Sequence, residues 1–158
     1  MMEGPSTSRV KEALAAFGGD HNVVELSEAA RTAADAARQL GCRVEQIANS
    51  LVFRAPARDA VVLVMASGGR RVNPTQVEKA LGEPVAKADA DFVRARTGFA
   101  IGGVAPVGHA SPPFAILVDE ELLAFDEIWA AGGHPHTVFR MTPDELVRMT
   151  GGRIVTVR

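Results

Sequence analysis

The stretch Thr97–His109, TGFAIGGVAPVGH, holds four glycines, a proline and a closing histidine, and no acidic or basic side chain precedes that histidine. It is too broken for a helix or a regular strand. Glycines let backbone N–H groups approach a ligand closely and let the chain take positive φ. Two phosphate chemistries are set aside by spacing. No lysine and serine or threonine follow the glycines, so this is not a P-loop. No strand leads in and no helix starts at the last glycine, so it is not a dinucleotide fingerprint. Two readings stay open: a main-chain wall for a small ligand, stiffened at its exit by Pro106, or a structural loop that crosses under a helix.

A second cluster, GGHPHTVFR, brings Gly132, Gly133, His134 and His136 together in sequence. With His109 they suggest a metal. However, His-x-His on a loop, without a cysteine or carboxylate at ligand spacing, falls short of a zinc pattern, so no metal and no cofactor are expected. There is no Gly-x-Ser-x-Gly and no nucleophile–base set, and Ser67 and Ser111 stand in turn-like contexts. Cys42, after Gly41, reads as a buried small residue. His21 beside Asp20 reads as a solvated loop residue, Asp119-Glu120-Glu121 as a solvated helix start, and Arg70, Arg71, Arg94 and Arg96 as surface charge.

Some scaffold must hold these loops. The segment from Ser6 to Gly19 predicts a first helix with Thr7 or Ser8 as cap, and NVVEL a short strand. RTAADAARQLG predicts a helix capped by Thr32 and stopped at Gly41. VEQIANS predicts a helical turn running into a strand. SLVFRA and DAVVLVMAS are valine-rich and predict an antiparallel hairpin. Asn73-Pro74 to Gly82 and Asp89 to Gly98 predict two more capped helices. FAILVD, a mixed segment ending in IWAA, and HTVFRM predict strands. Thr142-Pro143 opens a last helix, and RIVTVR closes the chain as a strand. Helices are interspersed with strands that follow each other directly. The expected fold is a single compact α/β domain over residues 1–158, with a mixed, partly antiparallel sheet and helices packed outside it, rather than a doubly wound fold.

Composition bounds the partners. The net charge of −2 argues against DNA and against broad coating of nucleic acid, but it allows a grip on one end of an RNA. One cysteine allows no intrachain disulfide, which makes the cytoplasm the expected compartment. The N-terminus shows no apolar secretory core, and no run nears the ~18 apolar residues of a membrane span, so no membrane partner is expected.

Taken in order, RTAADAARQLG…VEQIANSLVF, TGFAIGGVAPVGH and AAGGHPHTVFRMTPDELVRMTGG resemble the YbaK/ProX family, freestanding relatives of the editing domain inserted in bacterial prolyl-tRNA synthetases. The resemblance runs from about Arg31 to Gly152. It implies a barrel-like mixed sheet and an aminoacyl-tRNA deacylase that acts in trans, without a metal. The enzyme would cleave the ester of a small wrong amino acid on the tRNA acceptor end, tRNA for proline being the first candidate. Prolyl-tRNA synthetase is the protein partner it points to. The implied pocket has Asn49 and Ser50 touching substrate. Gly102, Gly103, Val104 and the loop to Pro106 form a wall whose N–H groups stabilise an oxyanion. His109, Gly132, Gly133 and His134 form the rim, and Thr32 closes another side.

One departure stands out. Most relatives read KSLVF where this chain reads NSLVF, so Asn49 replaces the family lysine. Asparagine keeps a donor but loses the charge and much of the reach. The chain then acts on a different substrate, uses another cation such as Arg70 or Arg71, or has lost catalysis and is a binding module for an aminoacyl-tRNA end or a small aminoacyl or nucleotide ligand.

Overall fold

Two eight-residue strands, ANSLVFRA and AVVLVMAS, organise the molecule. The computed structural model describes residues 4–158. Strands β2 (Ala48–Ala55) and β3 (Ala60–Ser67) pair antiparallel from Ala48↔Ser67 to Ala55↔Ala60, as the valine-rich pattern predicts. Val61 to Ser67 are all buried, because β3 lies inside the sheet with side chains covered on both faces. The sheet runs β4-β2-β3-β5-β8, with β4 at Ala86–Lys87, β5 at Ala115–Asp119 and β8 at Arg153–Val155. β3, β5 and β8 pair in parallel, and β4 pairs antiparallel to β2. A second, antiparallel sheet has the order β1-β7-β6, from Val24–Glu25, Thr137–Met141 and Ile128–Ala131. The mixed sheet is thus two open sheets, and among the described residues an isolated bridge between Ile47 and Trp129 joins them.

The main core fills the space between them. Leu63, Met65 and Val118 of the larger sheet pack with Ile128, Phe139 and Met141 of the smaller one, sealed by Val10, Phe99 and Leu146. Truncating Phe99 or Phe139 to alanine would cost about 3–5 kcal/mol. On the far face Val62, Val64 and Leu117 pack against Val77 of α3 (Pro74–Leu81).

Local chemistry explains the helices. Thr32, Asn73, Asp89 and Thr142 each accept a first-turn N–H at α2 (Ala33–Leu40), α3, α4 (Ala90–Thr97) and α5 (Pro143–Thr150). The first helix differs from expectation. α1 spans Pro5–Phe17, so Thr7 and Ser8 lie inside it. Pro5 sets its start, since a proline at the first position loses no helical hydrogen bond. Strand β1 is only two residues long, and β4 carried no sequence signal.

Two polar assignments change. Asp119 is fully buried rather than solvated. Its carboxylate accepts from Ser67 N at 2.9 Å and pairs with Arg158 at 2.8 Å, fastening the chain end to the sheet. The side chain of His21 is only 3% exposed, with Nε2 2.8 Å from Glu145 of α5 and the ring between Phe17 and Phe139. Among the described residues, no helix is long and apolar enough to cross a membrane.

Candidate active site

A cavity of about 550 Å³ opens where α2, the start of β2, the glycine-rich loop and the β6–β7 hairpin meet. That volume suits a small-molecule site. Small residues make the space: Ala30, Ala33, Ala34 and Ala36 around α2, Ala48 on β2, Ala130 and Ala131 on β6. Val104, Trp129, Pro135 and Val138 supply apolar surface. Polar side chains are few: Thr32, Asn49, Ser50 and Thr137. Arg31 is the one charged residue among the described residues that line it.

The glycine-rich stretch divides in two. Its first part is cavity wall, with Ile101, Gly102 and Val104 lining the space and Ile101 60% exposed. Gly103 N–H donates to Ala100 O at 2.9 Å and closes a turn. The amides of Gly102 and Val104 make no hydrogen bond among the described residues. The second part is structural. A Cβ at Gly108, where φ is +77°, would stand 2.9 Å from the backbone of α1 at Arg9 and Val10, so only glycine lets the loop pass under that helix. Arg9 ties the stretch down at both ends, donating from Nε to Gly108 O at 3.0 Å and from Nη2 to Gly98 O at 2.8 Å. The structural-loop reading fits the second half, and the first half lines a cavity.

Strand β2 places its two polar residues at the cavity. Asn49 pairs in register with Ala66 and Ser50 with Met65, in the hairpin that the valines dictate. Ser50 Oγ contacts Met65 Sδ at 3.3 Å. The Asn49 side chain is exposed and makes no hydrogen bond among the described residues. Thr32 lines the opposite side, its Oγ1 accepting from Asp35 N at 3.0 Å, which leaves its own hydrogen free to donate.

The remaining candidates stand one layer back or elsewhere. Gly103 is buried against the hairpin turn, where a Cβ would lie 2.9 Å from His134 Cα and 3.0 Å from Pro135 Cδ. Its lack of a side chain lets Pro135 reach the cavity wall. Gly132 packs on Val23 and Thr137, and Gly133 on the backbone of Ser6 and Thr7. His134 belongs to the turn: its carbonyl accepts from Thr137 N at 2.9 Å, and its Nδ1 accepts from His136 N at 3.1 Å. The His134 and His136 rings stack with centroids 5.3 Å apart. Pro106 and His109 line a second cavity of about 310 Å³ beside α1. His109 Nε2 sits 2.6 Å from Ala105 O, so the proton is on that nitrogen. Burial, outweighing that hydrogen bond and reinforced by the Arg9 charge, pushes the His109 pKa below the usual histidine value. Among the described residues, no three His, Cys, Asp or Glu side chains converge as metal ligands.

Arg31, Ile101, Trp129, Pro135 and Thr137 were not singled out by sequence reasoning, although all line the cavity. For Arg31 a signal existed: it directly precedes the Thr32 cap, so it must share that cap's surroundings. Arg70 and Arg71 lie outside the lining, and Arg70 faces Glu121 at 3.5 Å. Cys42 is half-buried, and burial raises its thiol pKa.

Known proteins share this fold. The crystal structure of a candidate trans-editing enzyme for prolyl tRNA synthetase superposes with a TM-score of 0.91, at 42% identity, covering 99% of each chain. The crystal structure of hypothetical protein APE2540 gives a TM-score of 0.86 at 31% identity, over 94% of this chain and 98% of that one. Uncharacterised protein YwhH of Bacillus subtilis (strain 168) is 27% identical over 149 residues, 94% of each. Residues 27–149, from ahead of α2 to within α5, match the family described as the aminoacyl-tRNA editing domain, and the chain belongs to that family.

Proposed function

We propose that this protein is a deacylase acting in trans. It hydrolyses the ester between a small, wrong amino acid and the 3′-terminal ribose of a tRNA, with tRNA for proline as the first candidate. The observation that carries this reading is the pairing of unbonded main-chain N–H groups with a nearly uncharged cavity at Gly102 and Val104. In the proposed step, water adds to the ester carbonyl carbon and the carbonyl oxygen takes negative charge. The Gly102 and Val104 amides donate to that oxyanion. The ester C–O bond to the ribose then breaks, and the proton released from water passes to the ribose oxygen. The products are a free amino acid and an intact 3′ end. Asn49, Ser50 and Thr32 offer donors and acceptors to orient the ester and the attacking water. The reaction as written needs no metal ion.

Selectivity follows from volume. Alanine side chains leave room for a small aminoacyl group, and Pro135 and Val104 stand on the same wall. A site that accepts alanine or serine and rejects proline is a second sieve behind a synthetase. Asn49 supports a second reading, a binding module with the same pocket and no turnover, because asparagine carries no charge to grip phosphate. Rates of deacylation on tRNAs charged with alanine, serine, cysteine, threonine and proline, each set against its uncatalysed hydrolysis, separate the two. Selective acceleration of one small aminoacyl ester supports the deacylase. No acceleration, with retained binding of the acceptor end, supports the module.

A further inference from the structure

We propose that Arg31 makes the cationic contact to the phosphate beside the esterified ribose, the contact that the uncharged Asn49 does not provide. This rests on the acceptor end of a tRNA being what the cavity receives. Among the described residues lining the cavity, Arg31 is the one that carries a charge. It is exposed and its guanidinium has no partner among the described residues, whereas the nearby Arg38 reaches Glu28 at 3.0 Å and the more distant Arg158 reaches Asp119 at 2.8 Å. An unpaired guanidinium presents a fork of donors that matches a phosphate in two-point fashion.

The backbone around Arg31 is fixed from both sides. Ala30 N donates to Pro135 O at 3.1 Å, which ties the segment to the hairpin turn that walls the cavity. Arg31 N donates to Asp35 Oδ2 at 3.3 Å, and Thr32 caps α2. The side chain therefore starts from a rigid point on the cavity rim. Thr32 and Ala33 follow it along the wall, and Asn49 and Ser50 contribute the β2 side.

The test uses the unacylated trinucleotide cytidylyl-cytidylyl-adenosine, with adenosine as the phosphate-free probe. Binding is titrated at several salt concentrations for the wild type, Arg31→Ala and Arg31→Lys. Arg94→Ala serves as a control, since Arg94 is exposed and outside the cavity. Arg31→Ala is expected to weaken trinucleotide binding about tenfold or more, the effect of one charge-assisted contact. It should also reduce the slope of log affinity against log salt by about 0.7, the signature of one phosphate contact on a single strand. Adenosine binding should be unchanged, Arg31→Lys should recover part of the loss, and Arg94→Ala should behave as wild type. Circular dichroism and the urea midpoint check that each variant is folded. Equal trinucleotide affinity and salt slope in wild type and Arg31→Ala would overturn the proposal. So would an equal loss with adenosine, or no trinucleotide binding by the wild type. If binding depends on Arg31 but no aminoacyl ester is cleaved, the phosphate contact stands and the deacylase reading fails. If esters are cleaved and Arg31→Ala matches wild type in rate and binding, the deacylase reading stands and this proposal fails.

Discussion

Arg9→Met tests whether one side chain holds the glycine-rich loop in place. The substitution keeps a long apolar stem and removes the guanidinium, which donates to Gly98 O at 2.8 Å and Gly108 O at 3.0 Å and lies 5.4 Å from the Phe99 ring. A hydrogen bond from a charged donor contributes roughly 1.5–3 kcal/mol when buried. Here the site is half-buried and water reaches the orphaned carbonyls, so about 1–1.5 kcal/mol for each bond is the fitting figure. The cation–π contact adds about 0.5–1 kcal/mol. The expected loss is about 2.5–4 kcal/mol, read from urea unfolding at constant m. Because the Gly102 and Val104 amides ride on this loop, deacylation should fall with stability even where the variant is fully folded. A loss under about 0.5 kcal/mol, typical of an uninvolved surface position, would show that Arg9 does not hold the loop.

Three further outcomes are expected. Gly103→Ala forces a methyl to within 2.9 Å of His134 Cα, an overpacking cost of about 1–3 kcal/mol, and should displace Pro135 and lower turnover; thermal unfolding and deacylation read both. Asn49→Lys restores a charge at an exposed cavity position and should tighten acceptor-end binding about tenfold, measured by titration at fixed salt. Stability should fall on acidification in two stages. Burial first and then the Arg9 charge, opposed by the bond to Ala105 O, depress the His109 pKa, so the folded state binds fewer protons than the unfolded one. That contribution is complete above the usual histidine value and is lost as pH falls through the depressed one. The Thr142 N–H bond, ahead of the His21 charge, lowers the Glu145 pKa and adds a second loss below the usual glutamate range. Urea midpoints across pH should show both stages, and His109→Gln should flatten the first.

Much of the scaffold was legible because its signals are local. A side-chain cap and a glycine stop bracket α2, α3, α4 and α5, the apolar run Leu51-Val52-Phe53 marks β2, and a longer valine-rich run marks β3. Thr32, Asn49, Ser50, Gly102 and Val104, expected at the pocket, all line the same cavity. What escaped depends on contacts between distant segments. The reason for Gly108 is the backbone of α1, about a hundred residues earlier, and the role of Arg9 is visible only once that helix lies over the loop. Asp119 looked solvated because its partners, Ser67 and Arg158, are remote in sequence. His21 misled in the same way, since Glu145 is on the last helix. Pro106 and His109 follow the cavity-lining residues directly in sequence, yet the loop turns away and carries them to the second cavity. Short strands such as β4 have no pattern of their own and exist only through the strand they pair with.

The cavity around Gly102, Val104 and Asn49 is proposed to cleave an aminoacyl ester. The most direct measurement is the first-order rate of release of amino acid from tRNA for proline charged with alanine, compared with the same tRNA charged with proline. Each rate is taken with and without the protein. Acceleration of the alanyl ester and none of the prolyl ester is expected. Equal acceleration of both esters, or of neither ester nor any other small aminoacyl ester, would contradict it.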